Sequence, residues 1–137
     1  MNTYTFDEIK VGMSEAFDVT ITEQMLESFK NITGDINPLH NDEDFARSKG
    51  HSGKVAYGML TASFLSTMAG VYLPGERSLI QQVNIKFAKP VYIGDKLTIT
   101  GEVVEINETV QRFELKVTIV NQENKKVLRG QMTIGVI

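Results

Sequence analysis

Residues 55–73, Val55-Ala-Tyr-Gly-Met-Leu-Thr-Ala-Ser-Phe-Leu-Ser-Thr-Met-Ala-Gly-Val-Tyr-Leu73, carry no charged side chain, and none follows until Glu76. A helix that is apolar nearly all round must be wrapped by protein or by lipid. Protein is the expectation here. Thr61, Ser63, Ser66 and Thr67 bring four hydroxyls, and no second long apolar stretch exists to partner a membrane span. Pro74-Gly75 then ends the helix in a turn.

What wraps the helix lies downstream. Val83, Ile85 and Phe87 alternate with Asn84, Lys86 and Ala88. After a Gly94-Asp95 turn, Leu97, Ile99, Gly101 and Val103 alternate with Thr98, Thr100 and Glu102. After Asn107-Glu108, Phe113, Leu115, Val117 and Ile119 alternate with Arg112, Glu114, Lys116 and Thr118, the cleanest period-two pattern in the chain. A turn at 121–126 leads to Leu128, Gly130, Met132 and Ile134. Strands joined by short turns imply an antiparallel sheet with one apolar face. The expected fold is α+β: one domain over residues 1–137, in which the sheet curls around the long central helix. Such a sheet keeps two open edges, so pairing of two copies edge to edge, as a two-fold dimer, is expected.

Upstream, residues 1–20 read as a lead-in and a first strand, with Phe17 and Val19 alternating against Asp18 and Thr20. Thr22-Glu23-Gln24-Met25 approximates a capping box, and Met25, Leu26, Phe29 and Ile32 recur at helical spacing. Acids at 42–44 open a further short helix that carries Phe45 and Ala46 and stops near Gly50. His51, in the glycine-rich run 49–54, reads as a solvated loop histidine.

Between these helices lies Thr33-Gly34-Asp35-Ile36-Asn37-Pro38-Leu39-His40. Gly34 permits a turn that residues with a Cβ resist, and Pro38 pushes Asn37 toward an extended conformation. Asp35 and His40 therefore sit on a bent segment that can aim a carboxylate and an imidazole at one water, the minimum equipment for general acid–base chemistry. Asn37-Pro38 is equally a helix start, with Asn37 as N-cap and Pro38 at the first helical position.

Composition narrows the chemistry. The 137 residues are 42% hydrophobic and 23% charged, ordinary for a soluble globular domain. A net charge of −3 gives no footprint for a nucleic-acid partner. The absence of cysteine excludes a thiol nucleophile and thiolate metal sites, and two histidines are too few for a multi-histidine zinc centre. No metal or separate cofactor is expected. The N-terminus, with Asp7 and Glu8 and no apolar run, does not read as a signal peptide, so a cytoplasmic location is the expectation.

Several of these residues stand together in a known pattern: Phe29, then Thr33 to His40, Phe45-Ala46, Gly58-Met59-Leu60, Leu73-Pro74-Gly75, Lys86 to Val91, and Gly94-Asp95. In this the chain resembles, along essentially its full length, the MaoC-like (R)-specific enoyl-CoA hydratases and 3-hydroxyacyl-CoA dehydratases of fatty-acid metabolism. The resemblance implies the hot-dog fold and a lyase that hydrates trans-2-enoyl thioesters reversibly. It implies a CoA thioester, or an acyl carrier protein thioester, as substrate, and a homodimer or an assembly of dimers. By matching position it implies that Asp35 and His40 are the catalytic pair and that the Gly58 N–H is the oxyanion donor. The alternative for Gly58 is helix punctuation. Ser66 matches a supporting hydroxyl; its alternative is a bond back to its own helix. Asn37 is an orienting residue, an N-cap, or both. Tyr57, Met59, Lys86 and Lys89 are expected at the substrate, with Arg77 a third cation for CoA phosphates; a solvated surface charge is the alternative for each cation. Tyr57 stands where the family commonly has histidine.

Two other classes compete. Many acyl-CoA thioesterases of this fold, and dehydratases of fatty-acid synthesis, place an acid on the central helix, and residues 55–73 contain none. A non-catalytic acyl-thioester-binding module is the third reading. A regulator would usually add a DNA-binding domain, for which this chain has neither room nor charge.

Overall fold

Alternation in the C-terminal half becomes a five-stranded, wholly antiparallel sheet in the computed structural model, which describes all 137 residues. The strands are β1 (Ser14–Thr20), β2 (Ser78–Phe87), β3 (Lys96–Asn107), β4 (Arg112–Val120) and β5 (Lys126–Val136). The helices are α1 (Glu23–Thr33), α2 (Pro38–Asn41), α3 (Glu43–Ser48) and α4 (Gly58–Thr67). The sheet order is β1-β3-β4-β5-β2.

Phe113, Leu115, Val117 and Ile119 are at most 1% exposed, and Leu97, Ile99, Val103, Leu128, Met132 and Ile134 are fully buried on the same side. They pack on Leu65, Met68 and Ala69 of the central helix, each 2% exposed or less. Full burial of one such aliphatic side chain contributes about 1.5–3 kcal/mol, so this helix–sheet contact dominates the fold's stability. Two glycines set how closely the layers approach. A Cβ added at Gly101 would lie 2.8 Å from the Met68 sulfur, and one at Gly130 would lie 3.1 Å from a Leu65 methyl. A helix held inside a curled antiparallel sheet is the hot-dog arrangement expected from the sequence.

The central helix departs from the expectation of one regular helix over 55–73. Val55 forms an isolated bridge with Tyr92, and α4 begins only at Gly58. After Thr67 the helix widens into a π turn over Met68–Tyr72, closed by Leu73 N–H donating to the Met68 carbonyl five residues back. Nor is the helix covered all round. Met59 is 63% exposed, and Ser63 and Ser66 on the same stripe are also exposed. No helix is long and apolar enough to cross a membrane.

The second departure concerns β2. It starts at Ser78, five residues before the expected Val83, and pairs with β5 rather than with its successor β3. It therefore lies at the sheet's edge, where Leu79, Val83 and Phe87 are 50%, 43% and 55% exposed. Alternation here marks an apolar face that the single chain leaves uncovered. Near the N-terminus the Glu8 carboxylate accepts the Thr5 N–H at 2.8 Å, whereas Thr22 supplies its own side-chain oxygen to the Met25 N–H. His51 is not simply solvated. It is half-buried, with Nδ1 2.9 Å from the Tyr92 hydroxyl.

Thr61 holds the one buried side-chain oxygen in the molecule without a protein partner. An unpaired buried hydroxyl costs about 1–3 kcal/mol. Thr61→Val, which keeps the shape, is expected to raise the melting temperature measured by calorimetry. A lower melting temperature would mean that bound water satisfies the hydroxyl.

Candidate active site

α1 delivers the chain to Gly34, whose φ of 74° turns it out of the helix while its N–H caps the Lys30 carbonyl. Thr33 Oγ1 then accepts the Asp35 N–H at 3.2 Å, and the Asp35 carboxylate accepts the Asn37 N–H at 3.0 Å. Asn37 in turn caps α2, its side-chain oxygen accepting the Leu39 N–H at 2.9 Å, with Pro38 at the first helical position. Both sequence readings of this stretch hold together: the segment is bent at Gly34 and Asp35, and Asn37-Pro38 starts a helix. One oxygen of Asp35 is engaged in the turn. The other has no protein partner.

His40 lies on the one-turn helix α2. Its Nδ1 sits 2.6 Å from the Val55 carbonyl oxygen. A carbonyl only accepts, so Nδ1 carries a hydrogen and donates it. Proton exchange at this ring is thereby confined to Nε2. Val55 N–H returns a bond to the Leu39 carbonyl at 3.1 Å, which fixes the strand-like lead-in of α4 against α2. Lys54, just before it, donates to Glu23 at 2.7 Å, and that bond holds the ammonium above the ordinary lysine range.

Gly58 is the first residue of α4, and no residue of the preceding turn accepts its N–H. An unpaired N–H at the positive end of a helix is a ready donor to developing negative charge. A Cβ at this position would lie 3.2 Å from the Phe87 ring, which would have to shift to admit it.

Two cavities meet at these groups. One of about 510 Å³ is lined by Asp35, His40, Gly58, Phe29, Tyr57 and Phe87 among others. A second of about 330 Å³ shares His40, Gly58 and Phe87 and continues past Thr61 to Lys89 and Pro90. A carboxylate, an imidazole with one free nitrogen, and a backbone donor thus face one space. That set can activate a water, stabilise an oxyanion and return a proton.

Other expected site residues are placed unevenly. Met59 lines the first cavity and Lys89 the second. Tyr57 also lines the first cavity; it is 2% exposed, and its hydroxyl is bonded to the Asp35 carbonyl and to Asn41. Ser66 is exposed, lines neither cavity and makes no hydrogen bond, because α4 turns it toward the open stripe two turns from Gly58. Lys86 lies on β2 outside both cavities, and Arg77 donates to the Ile137 carbonyl at 3.2 Å instead. Phe87, Thr61 and Asn41 were not singled out from the sequence. Phe87 sits inside the Lys86–Val91 motif, but the other two carry no local signal.

Comparison with known proteins places the chain in a family. The family model described as "MaoC like domain" matches residues 7–127. An (R)-specific enoyl-CoA hydratase of Rhodospirillum rubrum is 34% identical over 131 residues, covering 96% of this chain and 90% of that protein. A 3-hydroxybutyryl-CoA dehydratase of Methylorubrum extorquens is 31% identical over 131 residues, covering 96% of this chain and 83% of the relative. The solved (R)-hydratase of Aeromonas caviae superimposes with a TM-score of 0.91 at 27% identity, over 95% of this chain and 98% of that one. The unliganded R-hydratase of Pseudomonas aeruginosa gives the same score at 29% identity, over 96% and 84%. A curled sheet around an acid-free helix, the Asp35–His40 segment at its tip and matches of this extent lead to one assignment: the chain belongs to the MaoC-like domain family.

Proposed function

We propose that this chain catalyses the reversible, (R)-specific addition of water to trans-2-enoyl-CoA, giving (R)-3-hydroxyacyl-CoA. The observation that carries this reading is the single space shared by the Asp35 carboxylate, the His40 ring and the Gly58 N–H. Water held between residues 35 and 40 attacks Cβ while Asp35 takes one of its protons. The alkene electrons move onto the thioester oxygen, where the Gly58 N–H meets the charge; such a donor contributes roughly 3 kcal/mol. Nε2 of His40 relays that proton from Asp35 to Cα, while its Nδ1 stays on the Val55 carbonyl. One water is added, its OH at Cβ and its H at Cα, and both residues are restored. Lys89, on the second cavity, is suited to a CoA phosphate. An acyl carrier protein thioester presents the same reacting atoms.

The experiment follows crotonyl-CoA. Loss of enone absorbance without release of free thiol is the expected result. Thiol release would favour a thioesterase, and binding without turnover a non-catalytic acyl-thioester module. The absence of Asp and Glu from residues 55–73 weighs against the thioesterases that use a helix acid.

The working unit in this reading is a two-fold homodimer. β2 offers an unpaired edge with exposed Leu79, Val83 and Phe87, and Met59 adds apolar surface at the same cavity as Phe87. A second copy paired on that edge would cover them and complete the cavity walls. Sedimentation velocity at micromolar concentration is expected to give a dimer; a monomer would remove this part of the proposal.

A further inference from the structure

We infer that Tyr57 is a positioning residue whose hydroxyl holds Asp35 in register with His40 and the Gly58 N–H. The inference rests on the hydratase reading and extends it to a residue with no role in the chemistry itself.

Tyr57 touches each working part of the site. Its hydroxyl donates to the Asp35 carbonyl oxygen, 2.6 Å away. The same hydroxyl accepts from Asn41 Nδ2 at 3.0 Å. Asn41 Nδ2 spends its other hydrogen on the Asn37 carbonyl at 2.9 Å, and the Asn37 N–H donates to the Asp35 carboxylate. These bonds close a ring through Asp35, Tyr57, Asn41 and Asn37. Within it the Asp35 carboxylate is fixed on one side by the turn and its main chain on the other by Tyr57.

The Tyr57 ring does the rest. It packs on the His40 ring with centroids 4.2 Å apart and on Phe29 at 4.8 Å. Its own carbonyl accepts the N–H groups of Leu60 and Thr61 at 3.1 and 3.2 Å, which fixes the first turn of α4 and hence the direction of the Gly58 N–H. Asp35 is otherwise on an exposed segment, with Ile36 beside it 77% exposed. Without the hydroxyl, only local turn bonds would restrain the carboxylate. Tyrosine reaches the Asp35 main chain with a neutral hydroxyl at the end of a rigid ring, which suits a strut better than a longer, flexible polar side chain.

The test uses the full chain and crotonyl-CoA. Tyr57→Phe keeps the ring and removes the hydroxyl. It is expected to lower kcat on the order of tenfold, because small misplacements of a reacting group are costly, with KM changed less than about threefold. Asn41→Ala attacks the same ring of bonds from its half-buried side and is expected to do the same. The double variant should lose no more than Tyr57→Phe alone. The deciding arm is Tyr57→Phe in an Asp35→Asn background, where it should cost nothing further because the group it positions is already gone. Wild-type kcat in Tyr57→Phe would overturn the inference, as would a loss that persists in full in the Asp35→Asn background. An inactive wild-type protein would instead strike the functional reading itself.

Discussion

Asp35→Asn and His40→Asn are each expected to lower kcat for crotonyl-CoA hydration by ~10²–10⁴-fold with the fold unchanged. The choice of variants follows from the geometry. The amide oxygen at position 35 can still accept the Asn37 N–H, so the turn is kept while the basic oxygen is lost. At position 40 an amide nitrogen can replace Nδ1 on the Val55 carbonyl, while nothing replaces Nε2. His40→Ala would mix two effects, since the Val55 carbonyl would lose its donor at a cost of about 1–3 kcal/mol. Equal melting temperatures with a large kcat deficit would assign the loss to chemistry. Rates within about threefold of wild type in both variants would remove these residues from the mechanism.

The largest expected effect on stability lies elsewhere. Gly75 has a φ of 88°, and an added Cβ would land on the Asn2 carbonyl oxygen. That oxygen is not free to move. It accepts the Glu76 N–H at 2.9 Å, and Asn2 also donates its N–H to Val71 and its side-chain amide to the Tyr72 carbonyl. Tyr4 adds a bond to the Pro74 carbonyl. Gly75→Ala must either strain the backbone or unstitch the N-terminal segment from the end of the central helix. Left-handed strain in a non-glycine residue costs about 1–3 kcal/mol, and lost hydrogen bonds add about 1 kcal/mol each. A drop of about 2–4 kcal/mol in unfolding free energy by urea titration is expected. An unchanged midpoint would show that the segment detaches at no cost.

What could be read from residues alone follows from how local each signal is. Alternation on β4 announces its buried face because a strand's two faces differ at every step. Asp35 and His40 stood out because their neighbours Gly34, Asn37 and Pro38 each restrict the backbone in a known way. The π turn at Met68–Tyr72 left no such trace; a uniformly apolar stretch has no marked face from which a shift of phase could be seen. The partner of β2 was hidden for a different reason. Its strand pattern is real, but Ala88–Asp95 carries the chain across to β3 while β5 returns to pair with β2, and pairing order is a property of the whole sheet. The bond Tyr57 makes to Asp35 was hidden for a third. The Tyr57 hydroxyl bonds a main-chain carbonyl, and a main-chain partner leaves nothing in the sequence to match against. Ser66 matched a pattern by position, yet α4 turns it to the open side.

The most direct test is a crystal structure of the Asp35→Asn variant with (R)-3-hydroxybutyryl-CoA bound. The 3-hydroxyl is predicted to lie within hydrogen-bond reach of the side chains at positions 35 and 40, with the thioester oxygen about 3 Å from the Gly58 nitrogen. A thioester oxygen turned away from Gly58, or a 3-hydroxyl that reaches neither side chain, would contradict the account.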